Sequence, residues 1–173
     1  MRVPPGRAVV ILGSSRSDGH TRRAVDAVLG ARAVRIVDLS RLRISPYDYA
    51  HRNAGDDFLR TVESIVPASL WILATPVYWF SMSAPLKTFV DRLSDLFEVR
   101  EDLGRRLEGK SLALVATGAG GGLPAGFQAP FRHLCEYAGM RYAGAFYARF
   151  HDSGRPYPRL AARAKMAGDA WLV

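Results

Sequence analysis

The chain has 173 residues, of which 49% are hydrophobic and 23% are charged, so its length and composition are those of one soluble globular domain. No stretch approaches the ~20 consecutive apolar residues of a membrane span, and the apolar run before Gly13 is too short for the core of a signal peptide. A single cysteine, Cys135, fits a reducing compartment. We therefore expect one domain over residues 1–173 in the cytoplasm, with no membrane partner.

The formal net charge of +8 comes mostly from arginines that are scattered along the chain. A nucleic-acid-binding protein would be expected to carry a basic stripe interleaved with exposed aromatic residues, and the sequence has neither this pattern nor a zinc-finger spacing. The four histidines are far apart. The charge pattern indicates a basic surface that attracts anionic small molecules, and we expect no nucleic-acid partner and no metal ion.

Five apolar segments alternate with segments of helical periodicity along the chain. The predicted strands are residues 8–12, 33–39, 70–74, 111–116 and 141–150, and the predicted helices are residues 22–29, 56–66, 83–97, 124–138 and 159–171. This alternation is typical of a parallel sheet with helices on both faces. We expect an α/β fold with a flavodoxin-like, doubly wound, five-stranded sheet of order 2-1-3-4-5.

The segment after the first strand, residues 13–21 (GSSRSDGHT), is suited to a phosphate group. Backbone N–H groups of a glycine and serine turn and of a helix N-terminus attract anions. Ser14, Ser15, Ser17 and Thr21 are expected to add hydroxyl donors, and Arg16 and His20 are expected to add charged contacts. The side chains of Arg16 and Thr21 are expected to lie outside the core. A simpler interpretation is that the serines only cap the helix. Arg22 and Arg23 favour an anion, because cations in a first helical turn otherwise oppose the helix dipole.

A second unusual segment follows the third strand, which we expect to end at Pro76 because proline has no N–H to donate. The next four residues, VYWF, are apolar or aromatic where a solvated loop should be polar. They form either part of the core or one face of a site for a flat, partly apolar ligand. Ser83 is a suitable N-cap, and Pro85 suits the first turn of the helix that follows. Lys87, Asp91 and Asp95 are predicted on its polar side.

The glycine-rich segment 117–123 follows the fourth strand. With the predicted strand order, strands one, three and four are neighbours, so the three unusual segments meet at the edge where doubly wound sheets bind ligands. Glycines there would let the backbone approach a flat ring closely. The sequence therefore predicts one ligand site made from three loops.

Two nucleotide-binding patterns occur in the wrong context. Residues 104–111 (GRRLEGKS) match the Walker A pattern, but a helix precedes them and a strand follows, which inverts the required order. Residues 120–125 fit GxGxxA, but no acidic residue ends the next strand to bind a ribose. We therefore expect no nucleoside triphosphatase activity.

The first two loops resemble motifs of the NAD(P)H-dependent FMN reductases. Residues 13–21 resemble the phosphate loop GS-x-R-x-x-[SG]-x-[NT] of that family, and residues 75–92 (TPVYWFSMSAPLKTFVDR) resemble its P-x-Y…P-x-x-LK…D-R stretch. Similar sequences occur in related quinone and iron–sulfur flavoproteins of flavodoxin-like fold, although the cysteine spacing of an iron–sulfur site is missing here. The resemblance extends from Val9 to about Ala148.

This resemblance implies an oxidoreductase with FMN as cofactor, NAD(P)H as co-substrate and a quinone, free flavin or similar small-molecule electron acceptor. It also implies a homodimer or homotetramer, often formed through the helix after the aromatic loop. On that helix we expect Phe97, with Leu96 beside it, to supply apolar contact beyond the core. Because FMN supplies the chemistry, no catalytic side chain is predicted. The predicted cofactor-binding residues are Ser14, Ser15, Arg16, His20, Thr21, Pro76, Val77, Tyr78, Trp79, Phe80, Ser81, Thr117, Gly118, Gly120 and Gly121.

Two departures from the family pattern concern the substrate face. Many members have asparagine where this chain has Trp79, and a proline–glycine pair where it has Ala84 and Pro85.

The alternative function is a flavodoxin-type electron carrier that binds FMN without NAD(P)H turnover, although such carriers tend to be acidic where they dock basic partners. A relative of this fold that binds another phosphorylated ligand instead of flavin is a further alternative.

Overall fold

The computed structural model describes residues 7–151 and 153–172. The strands are β1 (Ala8–Leu12), β2 (Arg35–Asp38), β3 (Leu70–Tyr78), β4 (Ser81–Met82), β5 (Ser111–Gly118) and β6 (Arg141–Arg149). Five of them form a parallel sheet of order β2-β1-β3-β5-β6, and the short β4 pairs antiparallel with the end of β3. The predicted flavodoxin-like order is confirmed, with β4 as an additional strand that the sequence did not predict.

Helices cover both faces of this sheet, as predicted. They are α1 (His20–Leu29), α2 (Asp57–Ile65), α3 (Ala84–Asp91), α4 (Asp95–Glu98), α5 (Glu101–Gly104), α6 (Ala129–Tyr137) and α7 (Leu160–Trp171). One apolar cluster lies under α1 and α7 and includes Val25 and Ala164. The other lies under α2, α3 and α6 and includes Phe58, Phe89 and Phe131. Among the helices of the described residues, none has the length and apolarity required to cross a bilayer.

The third strand does not end at Pro76, so that prediction is wrong. Pro76 lies opposite Thr117 of β5, and the chain stays extended to Tyr78 before it turns back into β4. Pairing of Val77 with Met82 supports the chain beyond the proline, and the Ser83 N–H donates to Thr75 Oγ1 over 2.9 Å. A hairpin therefore supplies the contacts that the missing N–H of proline cannot.

Ser83 joins the start of α3 to the first loop. Its hydroxyl donates to the Gly13 carbonyl and accepts from the Leu86 N–H, which confirms the predicted N-cap. A Cβ atom on Gly13 would lie 2.5 Å from Leu86 Cβ, so only glycine allows this close approach. The two loops therefore have a fixed relative position.

The predicted helix over residues 83–97 is interrupted at Arg92, whose side chain is fully buried. Its Nη1 donates to Asp56 Oδ2 over 2.6 Å, and its Nε donates to Asp95 Oδ2 over 2.7 Å. The guanidinium also lies 4.7 Å from the ring centroid of Phe58. Asp95 is consequently buried, and its prediction on the polar side of the helix is wrong, because the sequence pattern does not show which arginine lies inside.

Candidate functional site

A cavity of about 620 Å³ lies at the carboxyl-terminal edge of the sheet. This volume is within the roughly 300–1,000 Å³ that is common for small-molecule sites. The three predicted loops and the end of β6 contribute its walls. The lining residues are Ser14, Arg16, Asp18, Gly19, His20, Thr21, Arg23, Pro76, Val77, Tyr78, Thr117, Gly118, Ala119, Phe150 and His151. The structure thus brings together nine of the predicted site residues, which are Ser14, Arg16, His20, Thr21, Pro76, Val77, Tyr78, Thr117 and Gly118.

One end of the cavity lies at the N-terminus of α1, which has no side-chain cap. Gly19 occupies the N-cap position, and the first turn contains no acidic residue. Ser14 Oγ instead accepts from the Arg16 N–H over 3.2 Å, and Ser17 Oγ lies 3.3 Å from Ser40 Oγ. The interpretation that these serines only cap the helix is therefore wrong. The N–H groups of this helix end remain available to an anion in the cavity.

The two arginines of the first helical turn have different positions. Arg22 Nε donates to Asp26 Oδ1 over 2.9 Å, one turn further along the helix. Arg23 lines the cavity, and its Nη1 donates to the Gly154 carbonyl over 2.6 Å. One of the two cations that oppose the helix dipole is thus balanced by a carboxylate, while the other adds positive charge to the cavity wall.

The middle of the cavity is built from the end of β5. Thr117 Oγ1 lies 2.9 Å from Thr21 Oγ1, and both side chains are buried. A Cβ atom on Gly118 would lie 2.9 Å from Tyr147 Oη, so glycine is needed where the tyrosine crosses beneath the loop. Tyr147 Oη donates to the Gly120 carbonyl over 2.8 Å, and burial raises the pKa of this phenol. The tyrosine therefore stays neutral and holds the glycine loop in place.

The aromatic loop is a hairpin with a two-residue turn formed by Trp79 and Phe80. Both residues have positive φ angles, 46° and 64°, as in a type I′ turn. Their side chains are 93% and 73% exposed, so the interpretation of this loop as core is wrong. Tyr78 precedes the turn and lies in the cavity wall while remaining exposed. The hairpin therefore places Tyr78 in the cavity wall and leaves Trp79 and Phe80 exposed outside that wall.

Six predicted site residues lie outside the cavity wall, and the role of all fifteen in cofactor binding stays a prediction. They are Ser15, Trp79, Phe80, Ser81, Gly120 and Gly121. Ser15, Gly120 and Gly121 are exposed in the first and third loops, and Ser81 is exposed in β4. Of these six, Ser15, Trp79 and Gly120 are next in sequence to a residue that lines the cavity, and Ser81 pairs with Tyr78 across the hairpin.

Several lining residues were missed by the sequence prediction, above all Phe150 and His151. They follow the last strand of the sheet, β6, at the same edge as the three predicted loops. The rule that ligands bind beyond the carboxyl ends of the strands would have identified them. The segment that contains Phe150 and His151 lacks the unusual composition of the other three loops.

The residues of the Walker A pattern lie away from this cavity. Lys110 and Ser111 are at the amino-terminal end of β5, whereas the cavity is at its carboxyl-terminal end. Lys110 Nζ donates to the Ala68 carbonyl over 2.9 Å. Burial, followed by the charge of Arg106, lowers the pKa of Lys110. The predicted order of helix, pattern and strand is confirmed, and the lysine has a structural contact.

The cavity has the chemistry that a phosphorylated flavin requires. An uncapped helix N-terminus with Arg16, His20 and Arg23 suits the phosphate group. The opposite end, with Val77, Tyr78 and the glycine loop, suits a flat ring. Cys135 is buried in α6, and burial raises the pKa of its thiol to about 11, which indicates a structural thiol. Within residues 7–151 and 153–172, no three histidine, cysteine or acidic side chains are grouped as they would be around a metal.

Comparisons with known proteins identify the family of this chain. The NADPH-dependent FMN reductase family matches residues 7–152. Bacillus subtilis YwqN, whose provisional name is NAD(P)H-dependent FMN-containing oxidoreductase, is 31% identical in an alignment of 155 residues, and the match covers 80% of this chain and 82% of YwqN.

Two solved structures have a similar fold. A Bacillus subtilis protein described as a Trp repressor binding protein is 26% identical, with a TM-score of 0.74 over 96% of this chain and 97% of that protein. An FMN-dependent NADH-azoreductase from Bacillus anthracis, solved in complex with FMN, is 10% identical and shows the fold alone, with a TM-score of 0.67 over 94% of this chain and 96% of the azoreductase. Because the family match covers most of its length, this chain belongs to the NADPH-dependent FMN reductase family, and the predictions of an oxidoreductase with FMN as cofactor and NAD(P)H as co-substrate are confirmed.

Proposed function

We propose that the protein takes hydride from NAD(P)H through bound FMN and passes the electrons to a quinone, free flavin or similar small acceptor. The observation that carries this proposal is a single cavity with an uncapped helix N-terminus at one end and an open glycine loop at the other. The first feature suits the phosphate of the cofactor, and the second suits access of substrates to its ring.

The residues around α1 would hold the phosphate group of FMN. Backbone N–H groups of the first turn would donate to its oxygens, together with the side chains of Ser14, Ser15, Arg16, His20 and Thr21. The side chain of Arg16 is exposed and reaches only Asp18, at 3.9 Å, within the described residues. It is thus able to move to a phosphate without breaking a buried contact.

The hairpin and the glycine loop would hold the ribityl chain and the flavin ring between them. The hairpin residues are Pro76, Val77, Tyr78, Trp79, Phe80 and Ser81, and the glycine-loop residues are Thr117, Gly118, Gly120 and Gly121. Bound FMN accepts hydride and releases electrons, so no side chain has to act as acid or base. The backbone N–H groups of residues 118–121 would stabilise negative charge at the edge of the ring.

The glycine loop also leaves room for a planar nicotinamide. A Cβ atom on Gly121 or Gly122 would have no atom within 4 Å, so the loop borders open space there. Hydride transfer needs the donor carbon within ~3–3.5 Å of the accepting atom, which requires one uncovered face of the ring. The net charge of +8 would help to attract an anionic dinucleotide, with an association rate that falls as salt rises.

Anaerobic stopped-flow spectroscopy tests this proposal. NADH or NADPH should bleach the bound flavin, and a quinone or free flavin should restore its absorbance over many cycles. Dithionite serves as the control, because it reduces flavin without a nucleotide site. If dithionite reduces the flavin and neither nucleotide does, the protein is an electron carrier and the proposal fails.

We also propose that the protein acts as a homodimer or homotetramer in the cytoplasm. Exposed Tyr137 on α6 packs edge-on against half-buried Phe97, with ring centroids 4.9 Å apart, so an aromatic surface is available for a second copy. Leu96 is fully buried and does not contribute to this surface. Sedimentation velocity should show a dimer or tetramer, and Tyr137→Ser should shift it toward the monomer. A monomeric wild-type protein at micromolar concentration would contradict this assignment.

A further inference from the structure

We propose that Phe150 is a positioning residue for the phosphate end of the cofactor site. It holds His20 where the imidazole can donate to a phosphomonoester, and it couples the end of β6 to the first turn of α1. The inference rests on the proposed assignment of the FMN phosphate to the α1 N-terminus.

The rings of His20 and Phe150 are stacked. Their centroids are 4.5 Å apart and their planes differ by 12°. Phe150 is buried, whereas His20 is exposed and lines the cavity. The structure gives the His20 ring no hydrogen bond to another of the described residues, so the stack is the contact that orients it.

Arg23, three residues after His20 in α1, also contacts the ring of Phe150. Its Cζ lies 4.9 Å from the centroid of Phe150, and its Nη1 donates to the Gly154 carbonyl over 2.6 Å. We call His20, Arg23, Phe150 and Gly154 the phosphate clasp. Two of its members come from α1 and two from the segment after β6, so the clasp joins regions that are far apart in sequence.

The segment after β6 is itself held by backbone hydrogen bonds. The His151 N–H donates to the Arg155 carbonyl over 2.8 Å, and the Gly154 N–H donates to the His151 carbonyl over 2.7 Å. Phe150 forms an isolated antiparallel bridge with Pro156. These contacts give the phenyl ring and the Gly154 carbonyl fixed positions relative to the sheet.

Stacking on a phenyl ring uses the face of the imidazole and leaves its nitrogen edge free for an anion. The guanidinium of Arg23 is attracted to the face of the Phe150 ring. A side chain that is already oriented loses less conformational freedom when its ligand binds. The phosphate clasp should therefore increase affinity for FMN but not for riboflavin, which lacks the phosphate.

Calorimetric titration of the full-length apoprotein with FMN and with riboflavin tests this inference in the variants H20A, F150L and H20A/F150L. F150L keeps an apolar side chain at the buried position but removes the ring face. F150L should weaken FMN binding about two- to tenfold, the range expected for an aromatic pair. Riboflavin binding should not change, F150Y should bind FMN like wild type, and the double variant should be no weaker than H20A alone.

The outcomes separate the inference from the proposed function. If H20A binds FMN like wild type, the phosphate assignment fails and the inference fails with it. If H20A weakens binding but F150L does not, or if the two effects add, only the positioning role of Phe150 fails. Equal losses for FMN and riboflavin would also overturn it, since they would show a general structural effect.

A measurement on the wild-type protein keeps the test valid if F150L does not fold. The imidazole C–H protons of His20, assigned by comparison with H20A, should show an upfield ring-current shift in the NMR spectrum of the apoprotein. FMN should move these resonances, and riboflavin should leave them in place. Imidazole shifts like those of a free histidine would overturn the inference.

Discussion

Thr21 Oγ1 and Thr117 Oγ1 lie 2.9 Å apart, so one hydrogen bond joins the first turn of α1 to the end of β5. The two residues are 2% and 3% exposed. The prediction that Thr21 lies outside the core is therefore wrong. A hydroxyl group has one proton, so the accepting threonine keeps its proton for another acceptor. The pair thus connects two of the three loops while retaining one donor.

Replacement of either threonine by valine should destabilise the apoprotein. Each single variant leaves a buried hydroxyl without its partner, which typically costs about 1–3 kcal/mol. The double variant should lose less than the sum of the two, because it removes both polar groups and keeps the side-chain shape. Urea denaturation of the apoproteins measures these free energies of unfolding. Strictly additive losses would show that the two hydroxyls are not coupled.

Arg16→Ala should weaken FMN binding without affecting folding. Its side chain is 78% exposed, so its loss leaves no buried group unpaired. A hydrogen bond to a charged group contributes about 1–3 kcal/mol, and the affinity for FMN should fall by this amount. Arg105→Ala is the matched control, because Arg105 is a similarly exposed arginine outside the lining of this cavity. Calorimetry that finds both variants equal to wild type would remove Arg16 from the phosphate site.

The sequence predicted the strand order and the position of the site because both depend on local patterns. A run such as that of β1 indicates a strand buried on both faces, and small polar residues after it indicate the loop that binds a ligand. The extended chain beyond Pro76 depends on pairing with β4. This pairing requires a two-residue turn at Trp79 and Phe80, and residues of these types rarely adopt the positive φ angles that the turn needs. The buried network of Arg92 depends on tertiary contacts that no single segment contains.

Lys110→Ala tests the interpretation of the Walker A pattern. Lys110 donates to the Ala68 carbonyl at the end of the sheet opposite the cavity, so flavin content and turnover should match wild type. Loss of this hydrogen bond should lower the free energy of unfolding by about 1 kcal/mol. An ATPase activity that is present in the wild type and absent in the variant would contradict the structural role of this lysine.

The buried ion pair between Asp56 and Arg92 should make stability depend on acidic pH. Burial alone would raise the pKa of Asp56, but the N–H groups of Ser45 and Phe58 and the guanidinium of Arg92 together hold this pKa below its usual value. A carboxyl group whose pKa is lower in the folded state contributes stability above its unfolded pKa, near 4. This contribution is lost as the pH falls through the folded value.

Asp56→Asn isolates this effect, because asparagine retains an oxygen that can cap the Phe58 N–H. The variant should be less stable than wild type by about 1–3 kcal/mol at pH 7, where the charged partner of Arg92 is missing. The difference should shrink as the pH falls through the folded pKa of Asp56, since wild type then loses the same charge. Urea denaturation at pH 7 and at successively lower pH values measures it. A difference that does not change with pH would mean that the charge of Asp56 does not stabilise the fold.

The backbone of the hairpin turn is strained. Relieving this strain should raise the stability of the apoprotein and, in the same variant, weaken cofactor binding. Trp79 and Phe80 have φ angles of 46° and 64°, and each such residue costs about 1 kcal/mol or more when it is not glycine or asparagine. Asparagine and glycine are the favoured residues of a type I′ turn. Trp79→Asn combined with Phe80→Gly should therefore raise the free energy of unfolding of the apoprotein by about 1–2 kcal/mol.

The same double variant should bind FMN more weakly, because it removes the two aromatic rings that we propose contact the flavin ring. An aromatic contact contributes about 0.5–1.5 kcal/mol beyond its buried area, so the affinity for FMN should fall by at least about twofold. The control is Tyr49→Asn, which removes an exposed tyrosine that does not line the cavity. Urea denaturation and calorimetry give the two free energies separately. If the double variant gains stability and binds FMN like wild type, the aromatic rings of the turn do not contact the cofactor, and its backbone alone forms that side of the site.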